Sequence, residues 1–160
     1  MKDKGDMEKT NVMRVLDQKK VPYQAHCYAG TGALAGTEVA EVLGQDRSQV
    51  FKTLVTVGKT GQHYVFVVPV SGELDLKKAA QASGEKSIEM IKSKELLPLT
   101  GYIHGGCSPV GMKKPFPTFI DSSAEGLPTF MVSAGKIGYQ VELAPADLAK
   151  VIRFSFAPLV

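Results

Sequence analysis

The chain has 160 residues, of which 44% are hydrophobic and 22% charged, and its net charge is +3. This length and composition suit one domain with its own core, and two cysteines are too few for a disulfide framework. The apolar runs have only strand length and the first residues lack the apolar core of a signal peptide, so we expect no membrane span and a reducing, cytosolic setting.

Hydrophobic periodicity and turn residues predict alternating helices and strands. Thr10 can cap a first helix that Pro22 ends. Residues 22–28 then predict a strand, and residues 37–44 a short helix. The clearest signal is a pair of apolar, β-branched runs at 50–57 and 63–70, which flank a glycine-rich turn. They predict a β-hairpin of central strands.

The second half of the chain continues the mixture of helices and strands. We expect a helix from Asp75 to Gly84, a strand over 87–91, a helical turn over 93–97 before Pro98, strands over 118–120, 129–133 and 139–143, and a last helix over 146–151 that Pro145 begins. This order predicts an α/β (α+β) domain around a mostly antiparallel or mixed sheet, without regular βαβ units. Residues 1–9 are predicted to form a loose tail and residues 10–160 a single domain.

Lys52 stands out because it lies within a strand that is otherwise apolar. Alternation along the strand places Phe51, Thr53 and Val55 on one face and Lys52 with its apolar neighbours on the other. A buried ammonium is costly without a partner. Either Lys52 points into a pocket and contacts a phosphate, a carbonyl or a ribose, or it lies at a strand edge and extends into water.

The sequence GGCSPVGMKKP, at residues 105–115, forms a loop with few side chains between apolar stretches. Glycines there allow positive φ and close approach of a ligand, so free main-chain N–H groups could bind an anion or a carbonyl oxygen. Ser108 adds a hydroxyl and Pro109 stiffens the exit. The alternative is a plain surface turn. A second loop, SAGKIG at 133–138, is either a hairpin turn or a partner of the first at one end of a sheet.

The remaining reactive side chains give weaker signals. The three histidines have no ligand-like spacing to the cysteines, so we predict no metal site, and we find no cofactor motif. Cys27 and Cys107 lie beside apolar and small residues, which favours buried, inert thiols over nucleophiles.

Four segments together resemble the YbaK/EbsC family, the free-standing relatives of the editing domain inserted in bacterial prolyl-tRNA synthetases. The matching segments are VFKTLV around Lys52, PVSGELDLKKAA at 69–80, TGYIHGGCSPVGMKK at 100–114 and VSAGKIGYQVELAPADL at 132–148. They occur in the family's order, and the resemblance extends over nearly the whole chain from Thr10 onward.

The resemblance implies a mixed α/β domain with a curved, barrel-like sheet and peripheral helices. It implies deacylation of mischarged tRNA, with cysteinyl-tRNA(Pro) and cysteinyl-tRNA(Cys) as substrates. The implied partners are the tRNA acceptor end carrying cysteine and prolyl-tRNA synthetase, without a membrane, metal or cofactor. An aminoacyl ester is already activated, so its cleavage needs orientation more than a strong base. The substrate's own thiol could then attack the ester.

The resemblance also implies roles for individual residues. Lys52 would position the terminal adenosine or an ester oxygen, while the amides of Gly105 and Gly106, in the family's GxxxP loop, would hold the carbonyl. Where an aspartate is expected after the late serine, this chain has Gln140. The implied substrate-binding set is Tyr28, Thr53, Ser108, Pro109, Ser133 and Gln140.

Three other functions stay open at this point. The chain could be a deacylase for alanyl or another small aminoacyl-tRNA(Pro), in which water must attack. It could be a non-catalytic module that binds aminoacyl-tRNA or a synthetase, which the glutamine at position 140 leaves possible. Without the resemblance, a small-molecule or nucleotide-binding domain would fit as well. Comparing cysteinyl with alanyl substrates separates the first of these from the predicted activity, and binding without turnover on any aminoacyl-tRNA would support the second.

Overall fold

The computed structural model describes residues 8–33 and 35–160, and within them the chain forms five α-helices and eight strands. The helices are α1 (Asn11–Gln18), α2 (Gly36–Val42), α3 (Leu76–Ser83), α4 (Ser93–Thr100) and α5 (Pro145–Leu148). The strands are β1 (Gln24–Cys27), β2 (Phe51–Gly58), β3 (His63–Pro69), β4 (Ile88–Met90), β5 (Thr118–Asp121), β6 (Phe130–Ser133), β7 (Tyr139–Leu143) and β8 (Ser155–Ala157). Residues 1–7 of the predicted tail lie outside the described residues.

The strands form two sheets that meet at one point. The smaller sheet has the order β1-β7-β6 and is antiparallel, whereas the larger has the order β4-β2-β3-β5-β8 and mixes both directions. A parallel bridge between Val50 and Met131 joins them. The predicted α/β class with a mixed sheet is confirmed, but the sheets do not close into a barrel.

The predicted hairpin is confirmed, and its register sets the direction of Lys52. β2 pairs with β3 from Phe51 opposite Pro69 to Val57 opposite His63. Phe51 and Val55 pack into the main core, whereas Leu54 packs on the other face with Phe66 and Val68. Lys52 lies opposite Val68 and so shares that second face, as the alternation predicts.

The predicted helix starts are confirmed by their caps. The Thr10 hydroxyl accepts a hydrogen bond from the Met13 amide, and the Asp75 carboxylate accepts from the Lys77 and Lys78 amides. Both caps satisfy N–H groups that a helix cannot bond internally.

Three predictions near the C-terminal half differ from the structure. Helix α4 continues through Pro98 to Thr100, because Gly101 closes it with a bond from its N–H to the Leu97 carbonyl. The last helix is shorter than predicted and ends at Leu148. Strand β8 was not predicted, because three residues are too few to show alternation and its pairing depends on distant β5.

Within residues 8–33 and 35–160, no helix combines the length and the apolar character that crossing a membrane requires.

Candidate active site

A cavity of about 400 Å³ opens at the junction of the two sheets. Its walls come from β2 in the larger sheet, from β6 and β7 in the smaller sheet, and from the turn that contains Gly105. Six of the predicted site residues line it, namely Tyr28, Lys52, Thr53, Gly105, Ser133 and Gln140. Gly106, Ser108 and Pro109 are not among its lining residues.

Lys52 reaches the cavity with a half-buried side chain that is 31% exposed. Its Nζ lies 3.6 Å from an Oε1 of Glu73, whose own side chain is 93% exposed. Such an exposed ion pair contributes little stability and gives way easily to a ligand. The position supports the pocket interpretation of Lys52 over that of a surface lysine.

The loop of residues 105–115 begins with a tight turn, and this turn explains why its first residue is a glycine. The Gly106 N–H donates to the Ile103 carbonyl at 3.0 Å, and Gly105 has a φ of +89° at the third position of this turn. A turn of this kind requires positive φ there, which favours glycine. The turn therefore uses the Gly106 amide, to which the family resemblance assigns the substrate carbonyl.

Ser108 also has a different environment from the predicted one. Its side chain is fully buried, and its hydroxyl accepts a hydrogen bond from the Val110 amide at 3.2 Å. This bond joins two residues of the same loop, so the buried Ser108 stabilises the conformation of the loop itself. Pro109 follows it and is buried as well.

The two small-residue loops lie against each other. A Cβ on Gly106 would come within 3.1 Å of the Ile137 nitrogen and 3.4 Å of the Lys136 carbonyl carbon. On its other side, the loop of residues 134–138 accepts a hydrogen bond at the Gly138 carbonyl from the Tyr28 amide at 2.7 Å. One loop thus supports two parts of the cavity wall, and Gly106 is small because main chains meet there.

Thr53 and Gln140 bring buried polar groups to the cavity. The Thr53 hydroxyl oxygen is buried and has no hydrogen-bond partner within the described part of the chain. Gln140 is 5% exposed, and its Oε1 accepts a hydrogen bond from Gln45 Nε2 at 2.6 Å. A buried polar group without a partner is uncommon, so the Thr53 hydroxyl is suited to bond a ligand.

Sequence reasoning missed three cavity-lining residues that carry polar side chains, Lys92, Ser93 and His104. His104 directly precedes the glycine pair, so its position beside a suspected binding loop was a usable signal. Lys92 and Ser93 lie at the start of α4, and no local pattern places that helix end near β2. Across residues 8–33 and 35–160, no three His, Cys, Asp or Glu side chains are grouped to hold a metal ion.

The two cysteines occupy different environments. Cys107 is buried and lines the cavity, and burial raises the pKa of its thiol to about 12, so it stays protonated near neutral pH. Cys27 is exposed at the end of β1, so the prediction that it is buried was wrong. β1 is an edge strand of the smaller sheet, which leaves its end open to solvent.

We expect iodoacetamide at pH 8 to alkylate Cys27 and to leave Cys107 unmodified in the folded protein, because the thiolate is the reactive form. Mass spectrometry of tryptic peptides would show the site. Denatured protein serves as the control, in which both thiols should react. Rapid labelling of Cys107 in the native protein would contradict its burial.

Comparison with known proteins identifies the family. The sequence model described as "Aminoacyl-tRNA editing domain" matches residues 33–151. The chain belongs to the aminoacyl-tRNA editing domain family. The matched range contains Lys52, the glycine pair, Ser133 and Gln140, whereas Tyr28 precedes it.

Two individual proteins also resemble the chain. A protein of Enterococcus faecalis (strain ATCC 700802 / V583), named "Putative Cys-tRNA(Pro)/Cys-tRNA(Cys) deacylase EbsC", is 47% identical over 160 residues, which cover 99% of this chain and 98% of that protein. A proline–tRNA ligase of Trichlorobacter lovleyi is 31% identical over 99 residues, or 62% of this chain and 17% of the ligase.

A solved structure extends the likeness to three dimensions. "Crystal structure of a putative trans-editing enzyme for prolyl tRNA synthetase" superimposes with a TM-score of 0.82 at 27% identity, covering 92% of this chain and 93% of that one. The likeness in fold therefore extends over nearly the whole chain.

Proposed function

We propose that this chain is a trans-editing aminoacyl-tRNA deacylase that removes cysteine from Cys-tRNA(Pro) and Cys-tRNA(Cys). The observation that carries the proposal is the convergence of Lys52, Gly105 and Ser133, from distant parts of the chain, on one cavity. Its volume of about 400 Å³ is in the range that holds a small ligand and suits an aminoacyl ester. The likeness to the E. faecalis protein over nearly the whole chain supports the same activity.

The reaction that we propose uses the thiol of the substrate as the nucleophile. The sulfur attacks the ester carbonyl carbon, a C–S bond forms, and the C–O bond to the terminal ribose breaks. The thiol proton passes to the ribose oxygen, so the products are a cyclic thiolactone and tRNA with a free hydroxyl. The one cysteine that lines the cavity, Cys107, stays protonated near neutral pH, which makes it a poor nucleophile.

In this mechanism the protein positions the ester and stabilises charge. The Lys52 ammonium would donate to the ester or ribose oxygen on which negative charge develops. The Thr53 and Ser133 hydroxyls would bond the aminoacyl group, and Tyr28 would shape the wall. The turn at Gly105 brings main chain close to the carbonyl without a side chain in between.

The substrate also indicates where the protein acts and with what partner. Charged tRNA is made by synthetases, so we place the protein in the cytoplasm with the acceptor end of tRNA as its ligand. Part of the chain resembles proline–tRNA ligases of Trichlorobacter lovleyi and Shouchella clausii, which supports prolyl-tRNA synthetase as a partner.

We expect cysteinyl-tRNA(Pro) to be deacylated at least about tenfold faster than alanyl-tRNA(Pro), with no cleavage of prolyl-tRNA(Pro), because only the first carries a thiol in reach of its ester. Deacylation rates on the same tRNA, with chromatographic detection of the thiolactone, would measure this.

S-methylcysteinyl-tRNA(Pro) is the matched control, since it fills the cavity but cannot attack. Equal rates for the methylated and free thiol would contradict thiol attack. Preferential cleavage of the alanyl ester would require a positioned water. Binding without cleavage of any ester would show a non-catalytic module.

A further inference from the structure

A pair of glutamine side chains joins the helical part of the chain to the cavity wall. Gln45 follows α2, where its N–H donates to the Ala40 carbonyl at 2.8 Å and so fixes the chain after the helix. Its side-chain Nε2 donates to Gln140 Oε1 at 2.6 Å. Gln140 lines the cavity, whereas Gln45 is not among the lining residues.

This hydrogen bond determines which end of the Gln140 amide faces the cavity. Because Gln45 occupies the oxygen of Gln140, the Nε2 group with its N–H donors is what Gln140 offers to a ligand. The oxygen of the Gln45 side-chain amide, Oε1, is buried and has no hydrogen-bond partner among the described residues. If both amides were reversed, that buried atom would be an NH₂ with two unsatisfied donors, which costs more than an unsatisfied carbonyl oxygen.

The acidic neighbour of Gln140 is engaged elsewhere. Glu142 is two residues along β7, on the same face, and accepts hydrogen bonds from His26 Nε2 at 2.8 Å and from the Thr129 hydroxyl at 2.5 Å. Burial alone raises the pKa of Glu142, but these hydrogen bonds outweigh it and hold the pKa below its ordinary value. The carboxylate is thus ionised and already paired.

The charge that the cavity lining presents is positive, although the Thr53 and Ser133 hydroxyls also offer oxygens that can accept a hydrogen bond. Its charged lining residues among those described are Lys52 and Lys92, and no Asp or Glu of the described chain lines it. An α-ammonium group gains nothing from an N–H donor or a lysine. A carbonyl oxygen, or a sulfur that loses its proton, gains from both.

We propose that Gln45 is a positioning residue that holds Gln140 with its N–H groups toward the cavity. Gln140 then selects an aminoacyl ester by an acceptor atom of its amino-acid side chain, sulfur or oxygen, and not by its α-ammonium group. This inference rests on the proposed deacylase activity. It assigns part of the discrimination between cysteinyl and alanyl esters to the polarity of one neutral amide.

Gln140→Glu tests the polarity of that amide with little change of shape. Glutamate has the same size, and one of its oxygens can keep the hydrogen bond from Gln45 Nε2. The other oxygen turns the donor facing the cavity into an acceptor that repels a thiolate and attracts an ammonium. We expect the ratio of kcat/KM for cysteinyl over alanyl-tRNA(Pro) to fall roughly tenfold, the typical effect of one hydrogen bond to a charged group.

Gln45→Met tests the positioning role, since it removes the donor at similar volume. We expect the same ratio to fall in the wild-type background but to stay unchanged when the substitution is added to Gln140→Met, because Gln45 acts through Gln140. Gln49→Met is the matched control. Gln49 Nε2 also donates a hydrogen bond across to the smaller sheet, to the carbonyl of Thr129 just before β6, at 3.1 Å. Gln49 does not line the cavity. The ratio of kcat/KM for cysteinyl over alanyl-tRNA(Pro) should be the same in Gln49→Met as in the wild type.

The outcomes separate this inference from the proposed function. If the wild type cleaves neither ester, the proposed function falls and the inference with it. If the wild type prefers the cysteinyl ester and Gln140→Glu keeps that preference, only the inference is overturned. An effect of Gln45→Met that persists in the Gln140→Met background would also overturn it, because a merely structural Gln45 would act independently of Gln140. Should Gln45→Met fail to fold, Gln140→Glu still decides.

Discussion

Lys52→Ala should lower kcat/KM for cysteinyl-tRNA(Pro) by roughly 100-fold or more, the size of effect seen when a single group that stabilises developing charge is removed. The side chain ends in the cavity, and its ammonium pairs with the carboxylate of Glu73, a side chain that is 93% exposed. Loss of so exposed a pair should change the free energy of unfolding by less than about 1 kcal/mol. Single-turnover deacylation and thermal unfolding would separate the two effects.

Three variants control for the Lys52 result. Lys59→Ala removes a lysine from the turn of the same hairpin, away from the cavity, and should keep full activity. Glu73→Gln breaks the ion pair without removing the ammonium and should also be active. Lys52→Arg keeps the charge in a larger group, so partial activity is expected. Wild-type rates for Lys52→Ala would exclude Lys52 from the reaction.

Gly106→Ala should lower both stability and activity, although the turn uses the Gly106 amide. The new Cβ would lie 3.1 Å from the Ile137 nitrogen, so two main-chain segments must separate. Overpacking of this kind costs about 1–3 kcal/mol. The shift moves Gly105 and its part of the cavity wall, and a displacement well under 1 Å at an active site is enough for a roughly tenfold loss of kcat/KM. Denaturant unfolding and deacylation rates measure the two quantities.

Gly126→Ala is the matched control for Gly106→Ala, since a Cβ there has no neighbour within 4 Å. It should leave both quantities unchanged. If Gly106→Ala and Gly126→Ala behaved alike, the close contact between the two loops would contribute nothing to stability or activity. If Gly106→Ala destabilised the protein but kept full activity, the loop contact would support the fold without positioning the site.

Local patterns predicted the parts of this structure that depend on neighbours along the chain. Alternation within β2 placed Lys52 on the correct face, and the caps at Thr10 and Asp75 marked two helix starts. The resemblance to a known family then assigned the loop after His104 and the serine at the end of β6 to one site, and the structure brings both to one cavity.

The rest could not be predicted because it depends on contacts between distant segments. Gln45 and Gln140 are 95 positions apart, and neither shows a periodicity that announces the other. The glycine at position 106 suggested an approach to a ligand, but the structure shows an approach to Ile137. The sequence shows that a small residue stands there, and only the tertiary contact reveals which neighbour requires it.

At the junction of the two sheets, main-chain groups of β2 as well as side chains face the cavity. After the bridge between Val50 and Met131 the strands diverge, and Lys52 and Ser133, each two residues further on, line the gap. Just outside the hairpin strands, the Val50 carbonyl accepts a hydrogen bond from the amide of Val70, the residue after β3. Main-chain groups alternate in direction along a strand, so Thr53, three residues after Val50, directs its N–H and C=O away from β3 and toward the gap. A side-chain substitution other than to proline leaves this main-chain N–H and C=O in place. Truncating the polar side chains of this wall one by one will therefore underestimate how much of the binding the backbone provides.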